Sequence, residues 1–273
     1  GNGPGVGRGG INWNGVLYRV MGTKLVYIAE DNTVTEIGDV GGTDRVTFDY
    51  GFTYLAIASN NNLFLYDGTT LTQVTDPDLG VVLDVVWVDG YYMTTDGEFL
   101  VITDLADPFA VNPLKYGSSE ADPDPIEALL KLRNEVYALN RYTIEVFDNV
   151  GTTGFPFQRI AGAQIQKGAV GTHACCVFMD NIAFMGGGRN EAPSIFMGAN
   201  GSTQKIATRE IEQILATYTE TQLATAFLEE RIDKAHQFLI THLPNHTLVF
   251  DGAATQAMGQ PVWFTLSSTL TGD

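Results

Sequence analysis

The chain has 273 residues, room for one large domain or two small ones with an ample core, and carries 15 Lys and Arg against 32 Asp and Glu, a net charge of −17. That balance argues against a groove that grips nucleic acid by neutralising phosphates, and 44% hydrophobic with 11% aromatic residues argues against disorder. Charged residues are only 17%, and 30 glycines among 273 residues is a high share, a combination that suits an all-β chain with many tight turns.

The opening GNGPGVGRGG has no charged segment leading into an apolar one, so it is not a secretory signal. It begins as if inside a larger protein, and the chain is expected to be the central fragment of a longer one. GGINWNG (9–15) reads as a poor strand. A pattern of three strands follows: VLYRV (16–20), KLVYIAE (24–30) and TVTEIG (33–38). After a candidate strand RVTFDY (45–50), its clearest copy is YLAIAS (54–59), LFLYD (63–67) and LTQV (71–74), joined by NNN and GTT turns. VLDVVWVDG (82–90) precedes YYMTT (91–95) and EFLVITD (98–104). The acidic loop EADPDP (120–125) lacks the ligand spacing and central Gly of a calcium loop and reads as a connection.

IEALLKLRN (126–134) opens a further copy: EVYALN (135–140), TIEVFDN (143–149) and FPFQRI (155–160). THACCVFMD (172–180) holds His173, Cys175 and Cys176, the last two being the only cysteines. On a strand, 173 and 175 share a face that 176 does not, so a buried structural strand is expected in place of a metal site, and no disulfide framework is present. That usage fits assembly in a reducing compartment. NIAFMGGG (181–188) and SIFMGANG (194–201) follow. MGGGRN (185–190) is neither a P-loop nor a dinucleotide fingerprint and reads as a hairpin turn.

TREIEQILATY (208–218) breaks the pattern. Ile211, Ile214, Leu215 and Tyr218 form a helical stripe, Thr208 stands where a cap belongs, and Glu210 and Glu212 favour the N-terminus. Thr219 and Gln222 have capping-box spacing. A helix packed on the rim is the favoured reading; the competing one is a docking element for a partner, with Arg209, Glu210, Glu212 and Gln213 as the candidate docking residues. TAFLEERID (225–233), QFLITHL (237–243), TLVFD (247–251) and PVWFTLS (261–267) complete the last copy, with His242 and His246 expected as exposed residues flanking a Pro-Asn turn.

Six units in 273 residues give about 45 residues each, the length of a four-stranded propeller blade. The expected fold is therefore all-β: a single β-propeller domain over 1–273, with six blades of mostly four strands and one short helix near 208–218. A β-sandwich is the competing fold. Asp67, Asp104, Asp148 and Asp251 recur at the ends of third strands, where Asx turns account for them better than a converging catalytic pair. Trp13, Trp87 and Trp263 are expected to pack in cores. No catalytic residue, metal ligand or cofactor site is assigned, and no apolar run is long enough to span a membrane.

GDVGGTDRVTFDYG (38–51), ITDLADP (102–108), IQKGAVGT (165–172) and above all the stretch from APSIFMGANG (192–201) through HLPNHTLVFD (242–251) resemble the packaged-DNA stabilisation proteins, or tail hubs, of short-tailed Salmonella-type phages. The resemblance implies a non-enzymatic virion tail protein, assembled in the bacterial host cytoplasm. It implies a homo-oligomeric ring of six subunits that closes the portal channel and holds packaged DNA. Partners would be the portal-adaptor ring, the tail needle or plug, and the tailspikes, with DNA passing the lumen without sequence-specific binding and with no membrane anchor. The competing function is a carbohydrate-binding or glycan-hydrolysing phage tail propeller.

Overall fold

The computed structural model describes residues 3–120 and 122–267. Six antiparallel sheets follow one another along the chain, each built from consecutive strands. Blade 1 is β1 (Gly7–Trp13), β2 (Val16–Met21), β3 (Lys24–Ile28) and β4 (Val34–Asp39). Blade 2 is β5 (Thr47–Tyr50), β6 (Leu55–Ser59), β7 (Asn62–Tyr66) and β8 (Leu71–Gln73). Blade 3 is β9 (Asp84–Val88), β10 (Tyr91–Thr95), β11 (Phe99–Thr103) and β12 (Val111–Ser118). Blade 4 is β13 (Ile126–Leu132), β14 (Glu135–Asn140), β15 (Ile144–Asn149) and β16 (Phe157–Arg159). Blade 5 has five strands: β17 (Gly168–Ala169) and β18 (Cys175–Phe178) both pair with β19 (Asn181–Gly187), which leads to β20 (Ser194–Ala199) and β21 (Ser202–Lys205). Blade 6 is β22 (Phe227–Asp233), β23 (His236–His242), β24 (Thr247–Asp251) and β25 (Trp263–Leu266). The fold is a six-bladed β-propeller.

One signature repeats in all six blades. In each blade one hairpin closes through a two-residue loop, at 14–15, 60–61 (between β6 and β7), 89–90, 133–134, 179–180 and 234–235. Such loops suit turns whose central residues take positive φ, because their twist matches that of the strands. Asn14-Gly15, Asn60-Asn61 and Asp89-Gly90 supply it with residues that tolerate that region. Met179-Asp180 does so with a less tolerant first residue, and at 133–134 and 234–235 Arg133 and Lys234 hold the positive φ.

The chain divides into two compact units, one of Gly1–Ser119 with Asn149–Gln158, the other of Glu120–Asp148 with Arg159–Asp273. In the first, Trp13, Val20, Leu25, Leu55 and Tyr66 form a core of blade 1 and 2 residues, and Leu63, Val85, Tyr92 and Val101 one of blades 2 and 3. In the second, Tyr137, Ile144, Phe184 and Phe196 join blades 4 and 5, and Phe178, Ile195, Leu239 and Phe250 join blades 5 and 6. Central strands are covered on both faces, so β6 is buried at every residue and its sequence shows no polar alternation.

Three local expectations are corrected. GGINWNG belongs to a full strand, β1, whose glycines serve close packing: a Cβ on Gly9 (φ 155°) would lie 3.1 Å from the Val46 carbonyl, and one on Gly10 would lie 3.0 Å from the Tyr18 carbonyl. The inner strand of blade 5 is shorter than THACCVFMD, because the chain turns at 171–174 and His173 lies outside β18. A second element beyond the expected helix at 208–218, α3 (Gly252–Met258), fills the connection between β24 and β25. Asp251 caps it, accepting from the Ala254 N–H at 2.9 Å, and Gly259 (φ 69°) ends it in the left-handed region.

Candidate docking groove on the second unit

The connection from β21 to β22 carries α1 (Arg209–Leu215) and α2 (Glu220–Leu223). The stripe read from the sequence is the packed face: Ile211 and Leu215 are buried, and Ile214 and Tyr218 are partly buried against the blade 5 and 6 core. Thr208 occupies the N-cap position, but its side chain makes no cap hydrogen bond. It bonds the Glu210 carboxylate, which with the local backbone N–H is held below the usual carboxylate range. The capping box of α2 is complete, with the Thr219 hydroxyl accepting from the Gln222 N–H and the Gln222 side chain accepting from the Thr219 N–H. The end of α2 rests on Gly171, where a Cβ would lie 2.5 Å from the Ala224 carbonyl. That contact seats the helical insertion on the break in the inner strand of blade 5.

Between this insertion, the β19–β20 turn and β21 lies an open groove of about 970 Å³. Its floor is apolar, with Phe196, Leu215 and Leu223 almost fully buried. Its walls hold three carboxylates, each with a cation. Lys167 Nζ lies 2.6 Å from Glu191 Oε2, and Lys205 Nζ lies 2.6 Å from Glu212 Oε1. Arg141 Nε lies 2.8 Å from Glu220 Oε1. Each pairing holds its carboxyl below the usual range; the Gly188 N–H adds to the effect at Glu191 and the Ser194 hydroxyl, 2.9 Å away, at Glu212.

The four residues singled out from the sequence separate by role. Arg209 and Gln213 are exposed and line the groove. Glu212 also lines it, but Lys205 and Ser194 tie it inward. Glu210 is exposed and lies outside the lining. Lys167, Glu191 and Lys205 were not found from the sequence, because they reach the groove from other strands and turns; only their shared blade 5 position could have signalled them.

The remaining candidates have structural settings. Cys175 is buried, and burial pushes the Cys176 thiol well up, so Cys176 is not poised as a thiolate. Among the described residues, no group of three His, Cys, Asp or Glu is placed to hold a metal ion. His246 is exposed beside the Pro-Asn turn and bonds Tyr218 Oη. His242, expected to be exposed, instead ends β23 half-buried, stacked on Phe227 at 4.0 Å and 2.8 Å from Glu229. MGGGRN is the β19–β20 hairpin. In EADPDP, Asp124 accepts from the Tyr142 and Thr143 N–H groups, and Asp122 pairs with Arg189 at 2.8 Å.

The recurrent acids are more varied than Asx turns. Asp67 makes one, accepting from Thr69 and Thr70; Asp251 caps α3; Asp104 pairs with Lys115 at 3.7 Å; Asp148 is exposed while Asn149 makes the turn bond. Trp13 is buried, Trp87 packs partly buried, and Trp263 packs on the blade 5 and 6 core while donating to the Ile206 carbonyl at 2.8 Å.

A family model described as bacteriophage P22 Gp10, beta-propeller, matches residues 1–273. The chain belongs to that family. It is 34% identical to the tail hub protein gp10 of Salmonella phage P22, over 98% of this chain and 59% of that protein, so it spans somewhat over half of its relative's length. Among solved structures it is similar to the Pan2 WD40 domain of Neurospora crassa (TM-score 0.58, 10% identity, covering 96% of this chain and 80% of that one). It is also similar to PorZ, a surface component of the type-IX secretion system of Porphyromonas gingivalis (TM-score 0.56, 12% identity, covering 96% and 33%). At those identities the two solved structures speak to the propeller fold alone.

Proposed function

We propose that this chain is the propeller portion of a phage tail hub: a structural, non-catalytic component of the virion tail, forming a single domain central to a longer protein. The observation that carries this reading is the 34% identity to the P22 tail hub protein along 98% of the chain. In the virion it closes the portal channel as a homo-oligomeric ring, retains packaged DNA, and joins the adaptor ring to the needle or plug and the tailspikes. Assembly takes place in the bacterial host cytoplasm. The net charge of −17 supports the lumenal part of this reading, because an acidic protein does not grip phosphate and lets DNA slide past.

The test is a nonsense mutation in the gene, followed by analysis of the particles made without suppression. Heads that fill with DNA and then lose it, with tails lacking this protein by mass spectrometry, are expected. Infectious particles with normal tails would contradict the reading.

A further inference from the structure

We propose that Asn14-Gly15 is a site of spontaneous deamidation in the folded protein, and that the matching pair Asn200-Gly201 is held against the same reaction by Tyr137. The co-reactant is water. The Gly15 backbone nitrogen attacks the Asn14 side-chain carbonyl carbon, the Cγ–Nδ2 bond breaks, and the proton lost from Gly15 passes through solvent to the departing amide, which leaves as ammonia. Water then opens the cyclic imide at either carbonyl, giving aspartate or isoaspartate. Glycine in the second position favours ring closure, because no Cβ shields its nitrogen. Of the three Asn-Gly pairs in the sequence, Asn2-Gly3 lies outside the described residues, and the other two form matched turns. Each is the two-residue loop of an antiparallel hairpin, 14–15 between β1 and β2 and 200–201 between β20 and β21. Their φ angles are 53° and 79° at 14–15 against 51° and 79° at 200–201, and all four residues are exposed. The chemistry is the same at both turns, and their surroundings decide between them.

At Asn14 the surroundings are open. Its side chain makes no hydrogen bond among the described residues, and a Cβ placed on Gly15 would meet nothing within 4 Å. At Asn200 the Tyr137 hydroxyl accepts from the Asn200 N–H at 3.4 Å and donates to Asn200 Oδ1 at 3.3 Å, sharing that proton with Glu135 Oε2 at 3.2 Å. Tyr137 is fully buried, which fixes the hydroxyl in place. Gly201 is closed in as well: a Cβ there would lie 2.5 Å from the Gly162 carbonyl. Ring closure demands that the turn open and the Asn side chain swing onto the following nitrogen. Little beyond the hairpin's own ladder resists that at 14–15, whereas the phenol and the Gly162 chain resist it at 200–201. Isoaspartate at 14 would add a methylene to the backbone of a two-residue turn that sets the β1–β2 register, next to the buried Trp13.

The experiment incubates the purified full-length protein in mildly alkaline buffer and follows both sites by peptide mapping, with fragmentation that separates aspartate from isoaspartate. Each native rate is compared with that of the same site in urea, where both turns are gone. Asn14 is expected to convert in the native protein, and folding is expected to slow Asn200 by about tenfold or more beyond any slowing at Asn14. Tyr137→Phe, which removes only the hydroxyl, is expected to raise the native rate at 200 severalfold and leave that at 14 unchanged, with a cooperative melt confirming that the fold is intact. Equal slowing at the two sites, greater slowing at 14, or a native protein that stays unmodified at 14 while the unfolded chain converts would overturn the proposal. A folded Tyr137→Phe protein with an unchanged rate at 200 would overturn the part assigned to Tyr137.

Discussion

Arg8 is a buried guanidinium held by carbonyls. Nη1 donates to Gly22 O at 2.9 Å and Gly41 O at 2.6 Å, Nη2 donates to Ser59 Oγ at 2.9 Å, and Nε donates to Asp44 O. It ties β1 to the turns that follow β2 and β4, and it answers acceptors that would otherwise be buried unpaired. Arg8→Met should therefore cost about 3 kcal/mol or more, read from urea unfolding of the full protein. Nothing in GNGPGVGRGG announces this role, because three of its four partners are backbone carbonyls, which leave no mark on residue type.

Glu127 makes a different prediction. Burial, with Glu220 and Asp124 facing it, raises its carboxyl above the usual range, and Arg141 only partly offsets that. The folded protein thus binds a proton more tightly than the unfolded chain. This group's effect on stability is favourable at low pH and is lost as pH rises through the folded-state value. Glu127→Gln, which mimics the protonated form, should raise the melting temperature at pH 7 and leave it unchanged near pH 4. A variant less stable at pH 7 would show that attraction to Arg141 outweighs desolvation.

Among the elements, the strands were legible where packing on both faces produced continuous apolar runs, as in YLAIAS and EVYALN, and the two-residue turns were legible where Asn, Asp or Gly filled them. The α2 capping box was legible because both of its bonds lie within four residues. Thr219→Ala should cost about 1 kcal/mol and loosen amide exchange protection over 220–226. Elements set by distant contacts were illegible. β1 looked too glycine-rich to be a strand, yet its glycines admit neighbouring backbone. α3 replaces a plain connection because Asp251 and Gly259 cap it, and Asp251 by itself reads as a turn residue.

MGGGRN was read correctly as a hairpin, but the reason for its glycines lies across the sheet: a Cβ on Gly186 would sit 1.8 Å from the Gly168 carbonyl of β17. Gly186→Ala must push β17 from β19 and should destabilise the protein by about 1–3 kcal/mol or more, measured by the shift in urea midpoint. The groove residues show the same division. Arg209 and Gln213 were visible on a local helix, while Lys167 and Lys205, which neutralise the groove walls, arrive from strands and turns that only the fold brings there.

For the whole molecule, composition argued against more than it assigned. A charge of −17 argues against a nucleic-acid grip, and the high glycine content with few charges indicated blades and turns. Function was legible only through resemblance, since a structural protein concentrates no chemistry in any short motif. The central claim is that this propeller is a part of the phage tail, and cryo-electron microscopy of virions bearing the full-length protein tests it most directly. Density for this six-bladed propeller in the tail beneath the portal is the result predicted. Tails with no density that fits this propeller, from particles that retain their DNA, would contradict it.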